Sequence, residues 1–153
     1  MSVAFRREQD DEHLEPKFEL PIPPGPNLVT ERGAKLIEAK IAELEAAIEK
    51  GGTEDELKSL KRDLRYWNTR HATMEIQDPA DGGEAAFGTR VSYKLKGKKN
   101  AVSIVGDDEA DPAAGLISFS SPLARALIGA GKGDFADFGG KADAIEVLGV
   151  EIL

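Results

Sequence analysis

Two apolar seams separated by a pair of glycines constrain this chain more than anything else in it. Ile37, Ile41, Leu44 and Ile48 fall at spacings of four, three and four, and Leu57, Leu60, Leu64, Trp67, His71 and Met74 alternate three and four. An apolar residue about every 3.5 positions lines one side of a helix and demands a partner helix. Gly51-Gly52 lies between the seams, and paired glycines favour the left-handed or flexible backbone that ends a helix. Across so short a break, two helices can meet only antiparallel. Thr30 is the expected N-cap of a first arm running to about Lys50, and Thr53 with Glu56 makes a capping box that opens the second. At about 1.5 Å per residue, each arm should be on the order of 30 Å long.

The flanks read differently. Residues 1–29 are charged and then proline-rich, ending in Pro21-Ile22-Pro23-Pro24-Gly25-Pro26. Proline removes backbone donors and blocks helix, so an extended leader is expected, either a polyproline-type ligand or a plain tethered arm. The hairpin takes residues 30–76, and residues 77–86, rich in turn formers, read as a linker. From 87 to 153 the period changes from helix to strand. Val91, Tyr93 and Leu95 alternate with polar residues, Gly97-Lys98-Lys99-Asn100 reads as a turn, and residues 101–105 and 116–120 follow as strands. Ser121-Pro122 places an N-cap before a proline at the first helical position, opening a short helix that closes at Gly129. Weaker strands fall near 135–138 and 145–152. The fold class is therefore α+β, a helical hairpin followed by a small mixed domain.

Charge narrows the function. The formal net charge is −8, yet the hairpin and the C-terminal module are close to balanced, and most of the net negative charge sits in the leader and linker. A free duplex-DNA binder shows a basic domain, and none is present, so autonomous DNA binding is not expected. There is no cysteine, which excludes disulfides and thiolate metal sites. No apolar run reaches the roughly 18 residues a membrane span needs, and the N-terminus lacks the apolar core of a signal peptide. A cytoplasmic protein with no membrane partner is the expectation.

Several polar groups carry candidate chemistry, each with a plainer reading beside it. Glu54 and Asp55 at the hairpin tip could approach a metal ion, but acids in a first helical turn also simply favour the helix dipole. Lys58, Lys61, Arg62 and Arg65 share one helix face, which suits either nucleic acid or solvent. The lysines at 94, 96, 98 and 99 suit protection of an edge strand. With His13 as the only other histidine, His71 makes no credible metal site and is expected to pack in the seam. The run Asp107-Asp108-Glu109-Ala110-Asp111 alternates oxygen ligands but lacks the glycine and distal glutamate of a calcium-binding EF-hand loop.

Ile104-Val105-Gly106-Asp107-Asp108-Glu109-Ala110-Asp111, continued by the stretch from Gly115 through Ser121-Pro122-Leu123-Ala124-Arg125 to Gly129, resembles the C-terminal domain of the Gre family of transcription elongation factors. Thr30-Glu31-Arg32-Gly33 is similar to the turn with which that family opens its coiled coil. The resemblance covers residues 30–153. It implies an FKBP-like fold for the C-terminal domain, docking at the rim of the RNA polymerase secondary channel, and a hairpin reaching inward toward the RNA 3′ end. Tip acids of the family help hold a catalytic Mg²⁺ of the polymerase, which then hydrolyses a backtracked transcript. A monomeric factor with no catalytic residue and no metal or cofactor of its own is implied. Its polymerase contacts would be Asp107, Asp108, Glu109, Asp111, Ser121, Pro122 and Arg125. The chain departs from the cleavage-stimulating members in two ways. Its hairpin is shorter, and Gly52 stands where their tip has its first acid, leaving Asp55 at the second position. A regulator that only occupies the channel, in competition with cleavage factors, is the alternative. A peptidyl-prolyl isomerase is a third reading, suggested by the fold alone.

Overall fold

A computed structural model describes residues 19–78 and 81–153. Residues 1–18 of the leader, His13 among them, and Pro79-Ala80 of the expected linker lie outside the described residues. The chain divides into two compact units. Of the described residues, one unit holds 19–24 and Glu38–Ala72, and the other holds Gly25–Ile37 and the chain from Thr73 on.

The first unit is the hairpin. Helix α1 spans Glu31–Lys50, with its first seven residues in the second unit, and α2 spans Glu54–Thr73. Gly51 ends α1 at φ +88 and returns its N–H to the Ile48 carbonyl at 3.1 Å, the left-handed stop that glycine provides. The capping box then opens α2: the Glu56 N–H donates to Thr53 Oγ1 at 3.2 Å, and the Thr53 N–H donates to Glu56 Oε2 at 3.3 Å. Ile41, Leu44, Ile48, Leu57, Leu60, Leu64 and Trp67 are all half-buried. A seam shared by only two helices cannot be covered on every side. His71 departs from the expected packing role. It is exposed, with Nε2 3.9 Å from Glu38 Oε1 on the opposite arm, because a polar ring at the end of the seam gains more from water and a carboxylate than from burial.

The second unit begins where a free leader was expected. Strand β1 (Leu28–Val29) pairs in parallel with β2 (Glu75–Ile76), so the chain enters and leaves the hairpin side by side. Five further strands follow: β3 (Thr89–Leu95), β4 (Lys98–Val105), β5 (Leu116–Ser118), β6 (Phe135–Phe138) and β7 (Lys141–Ile152), in the order β5-β4-β3-β7-β6. All neighbours are antiparallel except β4 and β5. Strand β4 starts at Lys98, inside the expected turn, because the reversal needs only Lys96 and Gly97, at φ 50 and φ 76. Two successive positive φ angles mark the tight hairpin turn whose twist matches the flanking strands. Val91, Tyr93, Val102, Ile104, Ile117, Ile145 and Val147 form the core with Ala124 and Leu127 of the short helix α3 (Pro122–Leu127). Burial pushes the Tyr93 phenol above its ordinary pKa. Ala85, at the end of the expected linker, is buried in the same core and exchanges hydrogen bonds with Gly129 and Ala130.

Candidate functional site

The loop after β4 and the start of α3 gather most of the residues expected to face a partner. Asp107, Asp108 and Glu109 form a single turn of 3-10 helix. Asp107 Oδ1 accepts from the Ser118 hydroxyl and, at 3.0 Å, from Ser120 Oγ, and the two serines lie 2.8 Å apart. The acidic loop is thereby tied to the residues leading into α3. There Ser121 Oγ caps the helix by accepting from the Ala124 N–H at 3.3 Å, with Pro122 at the first position. Asp111 is exposed, and its backbone bonds both ways with Leu116, at 2.8 and 3.0 Å. Pro122 and Arg125 are exposed, while Asp108 and Ser121 are half-buried. Asp107, Ser121 and Pro122 are thus brought together, with Arg125 on the next turn of α3.

Glu109 must be read differently. Its side chain is 1% exposed, so it is not available to touch a partner. Its Oε1 accepts from Thr30 Oγ1 at 2.5 Å, and its Oε2 accepts from the Thr30 N–H at 3.2 Å and the Gly106 N–H at 3.3 Å. Arg32 Nη1 stands 3.7 Å from Oε1. A buried carboxylate is tolerable only when its oxygens are bonded in this way. One glycine makes room for it, and a second makes room for the backbone beside it. A Cβ on Gly33 would sit 2.5 Å from Glu109 Cδ, and one on Gly106 would strike the Leu28 carbonyl.

The basic face of α2 is not an open cationic strip. Lys58 and Lys61 are exposed, but Arg62 donates to Asp63 at 3.1 and 3.2 Å, and Arg65 Nη2 pairs with Glu19 of the leader at 2.5 Å. That hydrogen bond from Arg65 to Glu19 raises the guanidinium pKa further. At the tip, Glu54 and Asp55 are exposed, and Glu56 is held by the cap. Among the described residues, no three acidic or histidine side chains converge on a metal position. Neighbouring helical residues project roughly 100° apart, so Glu54 and Asp55 could supply one carboxylate, and not a chelating pair, to an ion held mainly by other ligands.

Aromatic residues are largely consumed by packing. Tyr93 is buried, Phe119 and Phe138 pack against the core, and Phe87 meets Phe119 edge-on at 5.6 Å between ring centroids. Among the described aromatic residues Phe135 is the exception, 58% exposed on the edge strand β6. Glu19, Gly33, Thr30 as a donor to Glu109, and Gly106 were all missed by sequence reasoning. Only Gly33 left a signal, since a glycine inside a helix is unfavourable by about 1 kcal/mol unless something needs the space.

A helical hairpin joined to a five-stranded α+β domain is the class this fold defines. Residues 79–152, just under half of the chain, match the family described as "Transcription elongation factor, GreA/GreB, C-term", so this part of the chain is similar to the GreA/GreB C-terminal domain. It is 42% identical over 71 residues to transcription elongation factor GreA of Verminephrobacter eiseniae, covering 43% of this chain and 45% of that protein. Against transcription elongation factor GreB of Pasteurella multocida the identity is 40% over 76 residues, covering 48% of each. The chain therefore spans less than half the length of these relatives. Among solved structures, GreA factor homolog 1 of Thermus thermophilus overlaps 83% of this chain and 99% of its own, at 18% identity and a TM-score of 0.38.

Proposed function

We propose that this protein docks on RNA polymerase through Asp107, Asp108, Asp111, Ser121, Pro122 and Arg125, at the rim of the secondary channel, and modulates elongation or arrest with its hairpin. The reading is carried by the match of residues 79–152 to the elongation-factor domain. It is supported by the way Asp107 and the serines draw the acidic loop against the start of α3. Acidic groups on such a surface orient encounter with a basic partner and raise the association rate. The protein acts on the polymerase and its Mg²⁺, with no chemistry of its own. In the sharper form, Asp55 lends a carboxylate to a polymerase-held Mg²⁺ and so stimulates transcript cleavage, with the RNA 3′ end nearby. Coordination requires an oxygen within about 2.6 Å of the metal, so the reach of the arms decides.

A second reading, occupation of the channel without cleavage, is favoured by the tip itself. Gly52 replaces the family's first acid, Glu56 is committed to the cap, and each arm has 20 residues. The test adds purified protein to stalled, backtracked elongation complexes with Mg²⁺ and resolves the labelled RNA, alongside co-purification with polymerase. Short 3′ fragments that disappear with Asp55→Ala establish cleavage stimulation. Binding without fragments establishes occupancy, and absence of binding rejects the docking proposal.

A further inference from the structure

Within the acidic loop, Glu109 alone turns inward, and it bonds in two directions. One is its own loop, through the Gly106 N–H; the other is the residue that starts α1, through both the N–H and the hydroxyl of Thr30. Thr30 is itself engaged twice. Its hydroxyl hydrogen goes to Glu109, and the same oxygen caps the helix by accepting from the Gly33 N–H at 3.0 Å. Its carbonyl receives the Ala34 N–H, also at 3.0 Å. Carboxylate, hydroxyl and helix amides form one chain in which each bond polarises the next. The fit is close, because a Cβ at Gly33 would strike the Glu109 carboxylate and one at Gly106 the neighbouring Leu28 carbonyl. Hydrogen bonds weaken steeply once distance and angle leave their narrow range, so a small displacement of the loop undoes the cap, and fraying of the cap releases the loop.

We infer that Glu109 is a positioning residue coupling the acidic loop to the first turn of α1, so that a partner held by the loop also tightens the base of the hairpin. The exposed loop residues meet the partner, while Glu109 transmits the contact. Helix α1 runs unbroken from Glu31 to Lys50, so order gained in its first turn is gained by the arm that carries the tip. Such coupling is reciprocal by thermodynamic necessity.

Amide hydrogen exchange on the full chain tests it. Glu109→Gln places a donor where Thr30 needs an acceptor. The Gly33 and Ala34 amides should exchange about tenfold faster, the loss of one capping interaction, with Val91 and Val147 in the core unchanged. In the reverse direction, Thr30→Val keeps the side-chain shape, removes the hydroxyl, and should speed exchange across residues 106–110. Effects in both directions support the coupling, and effects confined to the mutated side overturn it. If Glu109→Gln loosens the core amides as well, Thr30→Val decides alone, and an undisturbed loop rejects the inference. A second arm rests on the polymerase reading. Bound polymerase should protect both the loop and the Gly33 and Ala34 amides in the unaltered chain, but the loop only in Thr30→Val. Equal protection in both overturns the inference. If the unaltered chain fails to bind polymerase, the docking proposal falls, and the free-chain exchange still settles the coupling.

Discussion

The hairpin and the C-terminal domain bury their apolar residues to very different degrees. In the domain, Val91, Ile104, Leu127, Ile145 and Val147 are wholly buried, whereas the hairpin seam from Ile41 to Trp67 stays half-buried throughout. A sheet with a helix on one face encloses its core, and two helices alone leave their seam open at both flanks. The domain can therefore be held by packing, while the hairpin leans on its ends: Gly51, the Thr53–Glu56 box, and Thr30 with Glu109.

This contrast sets an order of effects. Ile104→Ala removes a fully buried side chain from the central core and should destabilise the domain by about 3–5 kcal/mol, read as a lower midpoint in denaturant. A loss under 1 kcal/mol would mean that the core is looser than its burial indicates. Leu60→Ala, at a half-buried seam position, should destabilise by about 1–2 kcal/mol, since only part of its apolar surface is lost. Trp67 is the only tryptophan and lies in α2, so its fluorescence transition should move more with Leu60→Ala than with Ile104→Ala. The opposite ranking would show that the hairpin melts only as a follower of the domain. Thr53→Ala should weaken α2 by about 1 kcal/mol, visible as a small loss of helical circular dichroism on warming. If it equals Leu60→Ala, the ends of the hairpin matter as much as its seam.

What could be read in advance follows the same line. Periodic features were legible: the seams, the capping box, the alternation of Val91, Tyr93 and Leu95, and the helix opened by Ser121-Pro122 all repeat or cap in recognisable patterns. Strands β1 and β2 have two residues each, too few to show a period, so Leu28 and Val29 read as leader. The start of β4 hid among lysines, because a positive φ at Lys96 leaves no mark beyond the glycine beside it. Within Asp107–Asp111, the identity of the inward-facing acid depended on Thr30, 79 positions earlier, and no local pattern reports a contact of that range. Arg65 and Arg62 looked free for the same reason. Their acids, Glu19 and Asp63, are a distant leader residue and an adjacent one that helical spacing would have turned away. Arg70, 2% exposed within α2, is likewise indistinguishable by sequence from the exposed arginines near it.

The parallel pairing of Leu28–Val29 with Glu75–Ile76 closes the chain at the root of the hairpin, so everything between is a cassette bounded by its own clasp. Its length is then an independent variable. Inserting one heptad into each arm, in register with the seam, would extend the reach by about 10 Å without altering a single residue of the clasp, the Thr30–Glu109 linkage or the sheet. A lineage could therefore lengthen or shorten one insert while the C-terminal domain stays the same.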